Sequence, residues 1–415
     1  MLSAFASSGL AERYGVEDQA RELVERAAKL GVDLLARGGA KKAPRDPAAP
    51  KVRFDLTPTE SQELLRSTMR RFGEEVLREA ADEADVAMRP PAEVIEMAGE
   101  IGLVELAVPE ALGGAAEERS PITTALLAEE LGYGDMALGA ALLAPVSVAH
   151  LALDHGTEAQ QKDLLGRLTA EPFVPASAAL LEPRPLFDPR KPATKAKKIG
   201  GEYRLRGEKS MVILGQSARF FLVSAMVDKD ARLFVVERDR DGLTIEPEPT
   251  MGLRGANLCR LRLRDVEVPA SAMLGEAESF DHQRVVDLGR VAWGALAVGQ
   301  ARATLDYVKT YCNERVAFGE PITNRQAVAF MIADIAIELE GMRLLVWRAA
   351  ARAERGKSFT REAHLARVQC AAMSMKIGTD GVQLLGGSGF IREHPLERWY
   401  RHGRGVAVME GGLSA

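Results

Sequence analysis

The order of patterns along the chain predicts a mixed α and β fold. It comprises an N-terminal all-α domain, a central β-barrel or sandwich domain and a C-terminal four-helix bundle. Three observations carry this reading. Apolar residues recur at helical spacing from Phe54 to about Pro172 and again from about Ser279. Between Phe173 and Gly275 the pattern changes to short alternating or β-branched runs separated by glycines. The 415 residues exceed what one hydrophobic core holds. The expected divisions are a helical extension and Pro/Gly-rich linker over 1–52, then domains over 53–172, 173–278 and 279–415.

Each segment has its own signals. Residues 1–37 place apolar side chains at helical spacing, and Gly38-Gly39 with Pro44, Pro47 and Pro50 form a linker. A short amphipathic hairpin, or a helix that docks on a partner or lies on a membrane surface, is expected there. Asp55-Leu-Thr57-Pro58-Thr59 marks a helix start. Helical runs are expected at 60–85, 91–102, 120–132, 136–153 and 157–169. Strands are expected around Tyr203–Arg206, Phe220–Val223, Leu233–Val236, Leu243–Ile245 and Leu258–Leu263, with Gly200-Gly201, Asp241-Gly242 and Gly252–Gly255 between them. Long helices follow at 281–313, 324–356, 360–386 and 393–405, which suggests a bundle. No Gly-x-Gly-x-x-Gly lies between a strand and a helix, so a doubly wound dinucleotide fold has no support.

Composition narrows the function. Fifty-four basic and 59 acidic residues give a net charge of −5, and neither sign points to nucleic acid as a partner. Cys259, Cys312 and Cys370 are widely spaced and odd in number, which argues against a disulfide framework or a zinc site. The six histidines form no ligand-spaced pair, so no metal is expected. No apolar stretch is expected to approach the roughly 20 residues needed to span a bilayer, and the N-terminus lacks a basic n-region. A cytoplasmic location follows.

The motifs that carry chemistry lie toward the C-terminus. Gln383-Leu-Leu-Gly386-Gly387-Ser-Gly389-Phe390 is a glycine-rich turn, and a charged helix follows it before Met409-Glu410-Gly411-Gly412. Upstream, Arg315-Val-Ala-Phe318-Gly319 precedes Arg325-Gln326 and Ala333-Asp334. Gly252-Leu-Arg-Gly255 and Asp265-Val-Glu-Val-Pro269 close the β segment, and Glu129-Glu130-Leu131 lies in the first helical one. From about Phe54 onward this ordered set resembles the acyl-CoA dehydrogenase family.

That resemblance implies FAD as cofactor, an acyl-CoA thioester as substrate, and electron transfer flavoprotein or a similar acceptor. It also implies a homodimer or homotetramer. It implies Glu410 as the base that takes the α-proton while the β-hydrogen passes as hydride to flavin. A carboxylate in an apolar pocket would suit that role. Arg315 would meet the FAD pyrophosphate from a neighbouring subunit, with Phe318, Arg325 and Gln326 beside it. Gln383, Gly386 and Gly387 would take the ADP half. Arg290 would stand near the CoA or acyl entrance, and Gly289 occupies the place where a branch of the family carries its base.

The β segment departs from the family pattern. Leu181 stands for a threonine and Phe187 for a serine in Leu180-Leu-Glu182-Pro183-Arg-Pro-Leu-Phe187-Asp188. Met211-Val-Ile213 replaces Trp-Ile-Thr. Leu181 and Ile213 would therefore face the flavin with apolar groups, and Phe187 would line the substrate site. An alternative reading follows: a non-catalytic or weakly flavin-binding subunit that binds acyl groups. An acyl-CoA oxidase is a third.

Overall fold

The computed structural model describes residues 57–116, 119–276 and 280–415. The expected hairpin and linker over 1–52 lie outside them. The first helical unit contains α1 (Glu60–Phe72), a π-helical turn (Gly73–Leu77), α2 (Arg78–Ala87), α3 (Ala92–Glu100), α4 (Pro121–Gly134), α5 (Met136–His155) and α6 (Glu158–Leu168). Thr59 starts α1 through a capping box with Gln62, so the side chains of both residues satisfy free backbone N–H groups. Asp135 ends α4 and caps α5, accepting from the N–H groups of Ala137 and Leu138 at 2.9 and 3.0 Å.

One sequence expectation fails here. α5 is 20 residues long with a mean hydropathy of 1.9 in its most apolar window, enough by length and composition to cross a membrane. In the fold it is a core helix, with 94% of that window buried inside the protein. Being apolar on every side, it needs partners on every side, and it finds them in helices and in the sheet.

The β unit is a mixed seven-stranded sheet: β1 (Ala176–Ala179), β2 (Lys195–Ile199), β3 (Glu202–Val212), β4 (Phe220–Val227), β5 (Asp230–Glu237), β6 (Leu243–Pro247) and β7 (Cys259–Pro269). The order is β1-β4-β2-β3-β7-β6, with β5 on β4. β1 and β2 run parallel to β4, and the remaining pairs are antiparallel. Leu205, Phe221, Phe234, Leu261 and Val266 fill a core belonging to the sheet. Sequence reading missed β1, whose Ala-Ser-Ala-Ala has weak strand propensity, and β2, whose Lys-Ala-Lys-Lys-Ile is mostly charged.

Four helices close the fold: α7 (His282–Glu314), α8 (Gln326–Glu354), α9 (Thr360–Leu385) and α10 (Leu396–Val408), with a short ribbon of β8 (Val316–Ala317) and β9 (Glu320–Pro321) after α7. α7 crosses α4 backbone to backbone. A Cβ on Gly299 would fall 2.0 Å from the Glu129 carbonyl oxygen, so only glycine fits there. Beside the crossing, Arg302 of α7 donates to Glu129 and Glu130 of α4, at 3.1 and 3.0 Å through Nη1. These charges are buried and paired, as burial requires.

Candidate active site

A cavity of about 890 Å³ lies where the sheet meets α7, α9 and the segment after α10. From the sheet side it is walled by Leu181, Phe187, Ser210, Met211, Glu248 and Arg260; from the helices by Arg290, His364, Arg367, Val368, Met375 and Glu410. The α9 residues in this wall follow a helical period, so one face of that helix is turned to the cavity.

Glu410 stands two residues beyond the end of α10 and is 7% exposed. Arg290 donates to its Oε1 through Nε at 2.6 Å, with Nη2 at 2.5 Å. Arg367 of α9 pairs with Oε2 through Nε. The same guanidinium donates to the carbonyls of Val406 and, at 3.0 Å, Ala407. Arg367 thus joins the last turn of α10 to the carboxylate that follows it, satisfying two carbonyls left open at the helix end. The surroundings of Glu410 therefore differ from the apolar pocket expected from sequence: cations from two helices meet both of its oxygens.

Beyond Glu410 the chain turns through Gly411 (φ +69°) and Gly412 (φ +80°). A Cβ on Gly411 would come within 2.5 Å of the Leu180 side chain. Trp293 Nε1 donates to the Gly411 carbonyl at 2.8 Å, and the Ser414 N–H donates to Ser147 Oγ at 2.9 Å. Gly289 faces this segment: a Cβ there would lie 3.0 Å from the Leu413 carbonyl oxygen. Asp287, one turn before Arg290 and 3.6 Å from its Nη1, is buried, and desolvation raises its pKa.

On the sheet side, Glu182 accepts from the N–H groups of Ala193 and Thr194 at 2.7 and 2.9 Å, and from Thr194 Oγ1 at 2.7 Å. Lys209 Nζ lies 2.9 Å from the same carboxylate and donates to Ser224 Oγ at 2.9 Å. Burial pushes the Lys209 ammonium down to about 8 against the pull of Glu182. This buried pair pins the loop between β1 and β2, which carries Leu181 and Phe187. Glu248 accepts from Ser210 Oγ at 2.9 Å, from the Met211 N–H at 2.7 Å and from Arg260.

Of the residues singled out from sequence, Glu410, Arg290, Leu181 and Phe187 converge on the cavity. Ile213 is buried beside it, 3.9 Å from the position a Cβ on Gly412 would take. The others do not join them. Arg315, Phe318, Arg325, Gln326, Gln383, Gly386 and Gly387 are exposed. They gather at the far end of α7 and α9, where Cys312 Sγ approaches the Leu384 carbonyl at 4.0 Å. The 25 residue steps from Arg290 in α7 to Arg315 at its C-cap put the two groups about 38 Å apart along the helix. Arg325 stacks over the Phe318 ring at 4.8 Å, and Phe318, 93% exposed, holds φ +57°. Sequence reading missed Arg367, Glu248 and Arg260. No local motif marks them, although the cavity-facing period of α9 gave a usable signal for Arg367.

An α–β–α chain with a carboxylate-bearing cavity at the junction of sheet and bundle defines the class of protein. Models of the N-terminal, middle and C-terminal domains of acyl-CoA dehydrogenases match residues 59–172, 177–266 and 282–413. A probable acyl-CoA dehydrogenase of Bacillus subtilis is 33% identical over 368 residues, 86% of this chain and 96% of the relative. The mitochondrial short-chain specific acyl-CoA dehydrogenase of Bos taurus is 33% identical over 367 residues, 85% of this chain and 87% of the relative. The structure of butyryl-CoA dehydrogenase from Megasphaera elsdenii superposes with a TM-score of 0.79 at 30% identity, covering 86% of this chain and 96% of its own. The chain belongs to the acyl-CoA dehydrogenase family, a family of oxidoreductases.

Proposed function

We propose that this protein is an FAD-dependent acyl-CoA dehydrogenase in which Glu410 takes the α-proton of the thioester. The observation that carries this reading is how the three cavity carboxylates are held. Glu182 and Glu248 accept backbone N–H groups and are built into the sheet. Glu410 accepts none among the described residues, and its partners are two guanidiniums that themselves line the cavity. An entering thioester carbonyl can draw a guanidinium from the carboxylate. One carboxylate oxygen is then free to face the α-proton, and the cation sits where negative charge develops. When bound, FAD supplies the acceptor for the β-hydrogen.

The surfaces suit that cofactor. No atom lies within 4 Å of where a Cβ would sit on Gly386 or Gly387, so a ligand can approach the backbone closely. Arg315 makes no ion pair among the described residues and offers its fork to phosphate oxygens. Because these residues stand far from Glu410, they serve the site of a second chain. Gln383, Gly386 and Gly387 would hold the ADP half there, with Phe318, Arg325 and Gln326 alongside Arg315. Within each chain Leu181 and Ile213 would meet the flavin through apolar contact, while Phe187 and Arg290 bound the acyl space. A homodimer or homotetramer follows, with electron transfer flavoprotein or a similar acceptor taking the electrons in the cytoplasm.

The test is the visible spectrum of the purified protein before and after anaerobic addition of acyl-CoAs, starting with butyryl-CoA. Flavin bands that bleach are expected. The Glu410→Gln variant should keep its flavin and lose the bleaching; equal bleaching by variant and wild type would remove Glu410 from the role. A colourless protein that takes up no added FAD would favour an acyl-binding subunit, because Leu181, Met211 and Ile213 offer the flavin no side-chain hydroxyl or indole.

A further inference from the structure

The cavity stops at Glu410, and what stops it is the chain itself. Its outer wall, at Arg184, His364, Val368 and Val408, is open to solvent, whereas Ser210 and Glu410 at its inner end are buried. Behind that end lies the segment Gly411-Gly412-Leu413-Ser414-Ala415. Leu181 and Met211 face the cavity, while Leu180 and Ile213, one and two residues away, border the segment. On the sheet side a Cβ on Gly411 would strike Leu180. On the helix side a Cβ on Gly289 of α7 would lie 3.1 Å from the Gly411 Cα. The segment therefore fills the gap between sheet and α7, and no second chain of atoms fits beside it.

The backbone of the segment is held from several elements. Trp293 of α7 donates to the Gly411 carbonyl, and the Ala415 N–H donates to the Leu288 carbonyl at 3.2 Å. Ser147 Oγ of α5 accepts from the Ser414 N–H, and His150 Nδ1 lies 3.3 Å from the Ser414 carbonyl. Arg119, paired with Asp154 at 3.5 Å, donates to the Ala415 main-chain oxygen. Ser147 and His150 are the two polar side chains of α5 between Met136 and Leu153, and both are buried. Polar groups in an otherwise apolar core helix are destabilising unless paired. For both, the pairing that crosses to another element is with this segment. Its burial is thus built into α5. Resting on the acyl-CoA reading above, we propose that residues 411–415 form the floor of the acyl site and confine the substrate to short acyl groups. Glu410 has to reach the α-proton, and Gly411 follows it by one Cα–Cα step of about 3.8 Å. At that spacing about two carbons beyond Cα fit before the acyl chain meets the segment, an acyl group of about four carbons in all. A longer one has to push the segment from its anchors.

The test is calorimetric titration of the full-length protein with acyl-CoAs of four, six and eight chain atoms in which sulfur replaces Cβ. These have no β-hydrogen to lose, so binding is read without turnover. In an open channel each added CH2 would tighten binding about fourfold. Here affinity should stop rising at four atoms and fall about tenfold by eight. Leu413→Ala removes a buried side chain from the segment, and Ser147→Ala removes its anchor on α5. Each should relax the selection against eight atoms by about tenfold, with little change for four. Amide exchange of residues 411–415 in wild type should rise with the eight-atom ligand and not with the four-atom one. A wild-type affinity that keeps rising through eight atoms would overturn the proposal, and that series needs neither variant to fold. An unchanged length profile in both variants would overturn it as well. A protein that binds none of the three ligands would instead refute the acyl-CoA reading on which the proposal rests.

Discussion

At the scale of single residues, Arg367 decides where Glu410 stands. One guanidinium holds two carbonyls at the end of α10 and one carboxylate oxygen three residues farther on. Its loss frees the carboxylate and the helix end together. Arg367→Ala is expected to lower the rate of anaerobic bleaching by about 10- to 100-fold, the usual cost of misplacing a reacting group. The apparent affinity for acyl-CoA should change less. Arg367→Lys, which keeps the charge but not the fork, should recover part of the rate. Stopped-flow bleaching of the three proteins checks this, and an unchanged rate in the alanine variant would show that Arg290 alone suffices.

At the scale of elements, α5 depends on Asp135. Its Oδ1 caps the helix, and Oδ2 lies 3.4 Å from both His402 Nε2 and Arg398 Nε of α10. Burial by itself raises the Asp135 pKa, but the charges of His402 and Arg398 and the N–H of Leu138 outweigh it. The result is a value of about 2 against an ordinary 3.8. A depressed carboxyl contributes stability that is complete above the unfolded value and is lost as pH falls through the folded one. The loss should therefore run from about pH 4 to pH 2 and amount to about 2 kcal/mol. Asp135→Asn keeps a cap acceptor but not the charge. Its Tm should lie below that of the wild type at neutral pH, and the gap should close across that window. A constant gap would mean that the ion pairs contribute nothing.

At the scale of the whole molecule, the two groups of family residues sit too far apart to hold one dinucleotide within a chain. The outer face of α8 offers a way for chains to meet. Phe330, Ile337 and Leu344 repeat every seven residues along it and are all exposed, with Ile337 at 69%. An apolar stripe of this kind marks a surface that another protein covers. Ile337→Glu with Leu344→Glu should shift the assembly toward monomer in analytical ultracentrifugation and lower its flavin content with it. A monomer with full flavin would place Arg315 and Gly386-Gly387 outside the cofactor site.

The helices were legible in the sequence because each announces itself locally. α1 carries its capping box, α7 to α9 keep an apolar period over 26 to 33 residues, and glycines or prolines mark the ends. The motif around Glu410 was legible for the same reason, since its order of acid and glycines is contiguous in the chain. Strands β1 and β2 were not, because pairing across the sheet overrides the weak propensity of Ala-Ser-Ala-Ala and of Lys-Ala-Lys-Lys. The sequence by itself thus determined the α–β–α order, the family and the carboxylate at the end of α10. Only the tertiary structure decided that two arginines from different helices close on that carboxylate, that apolar α5 is a core helix, and that Lys195 and Lys197 of β2 lie opposite Arg206 and Arg204 of β3. Each of these depends on residues far apart in the chain brought within a few ångströms, and no local pattern encodes that distance.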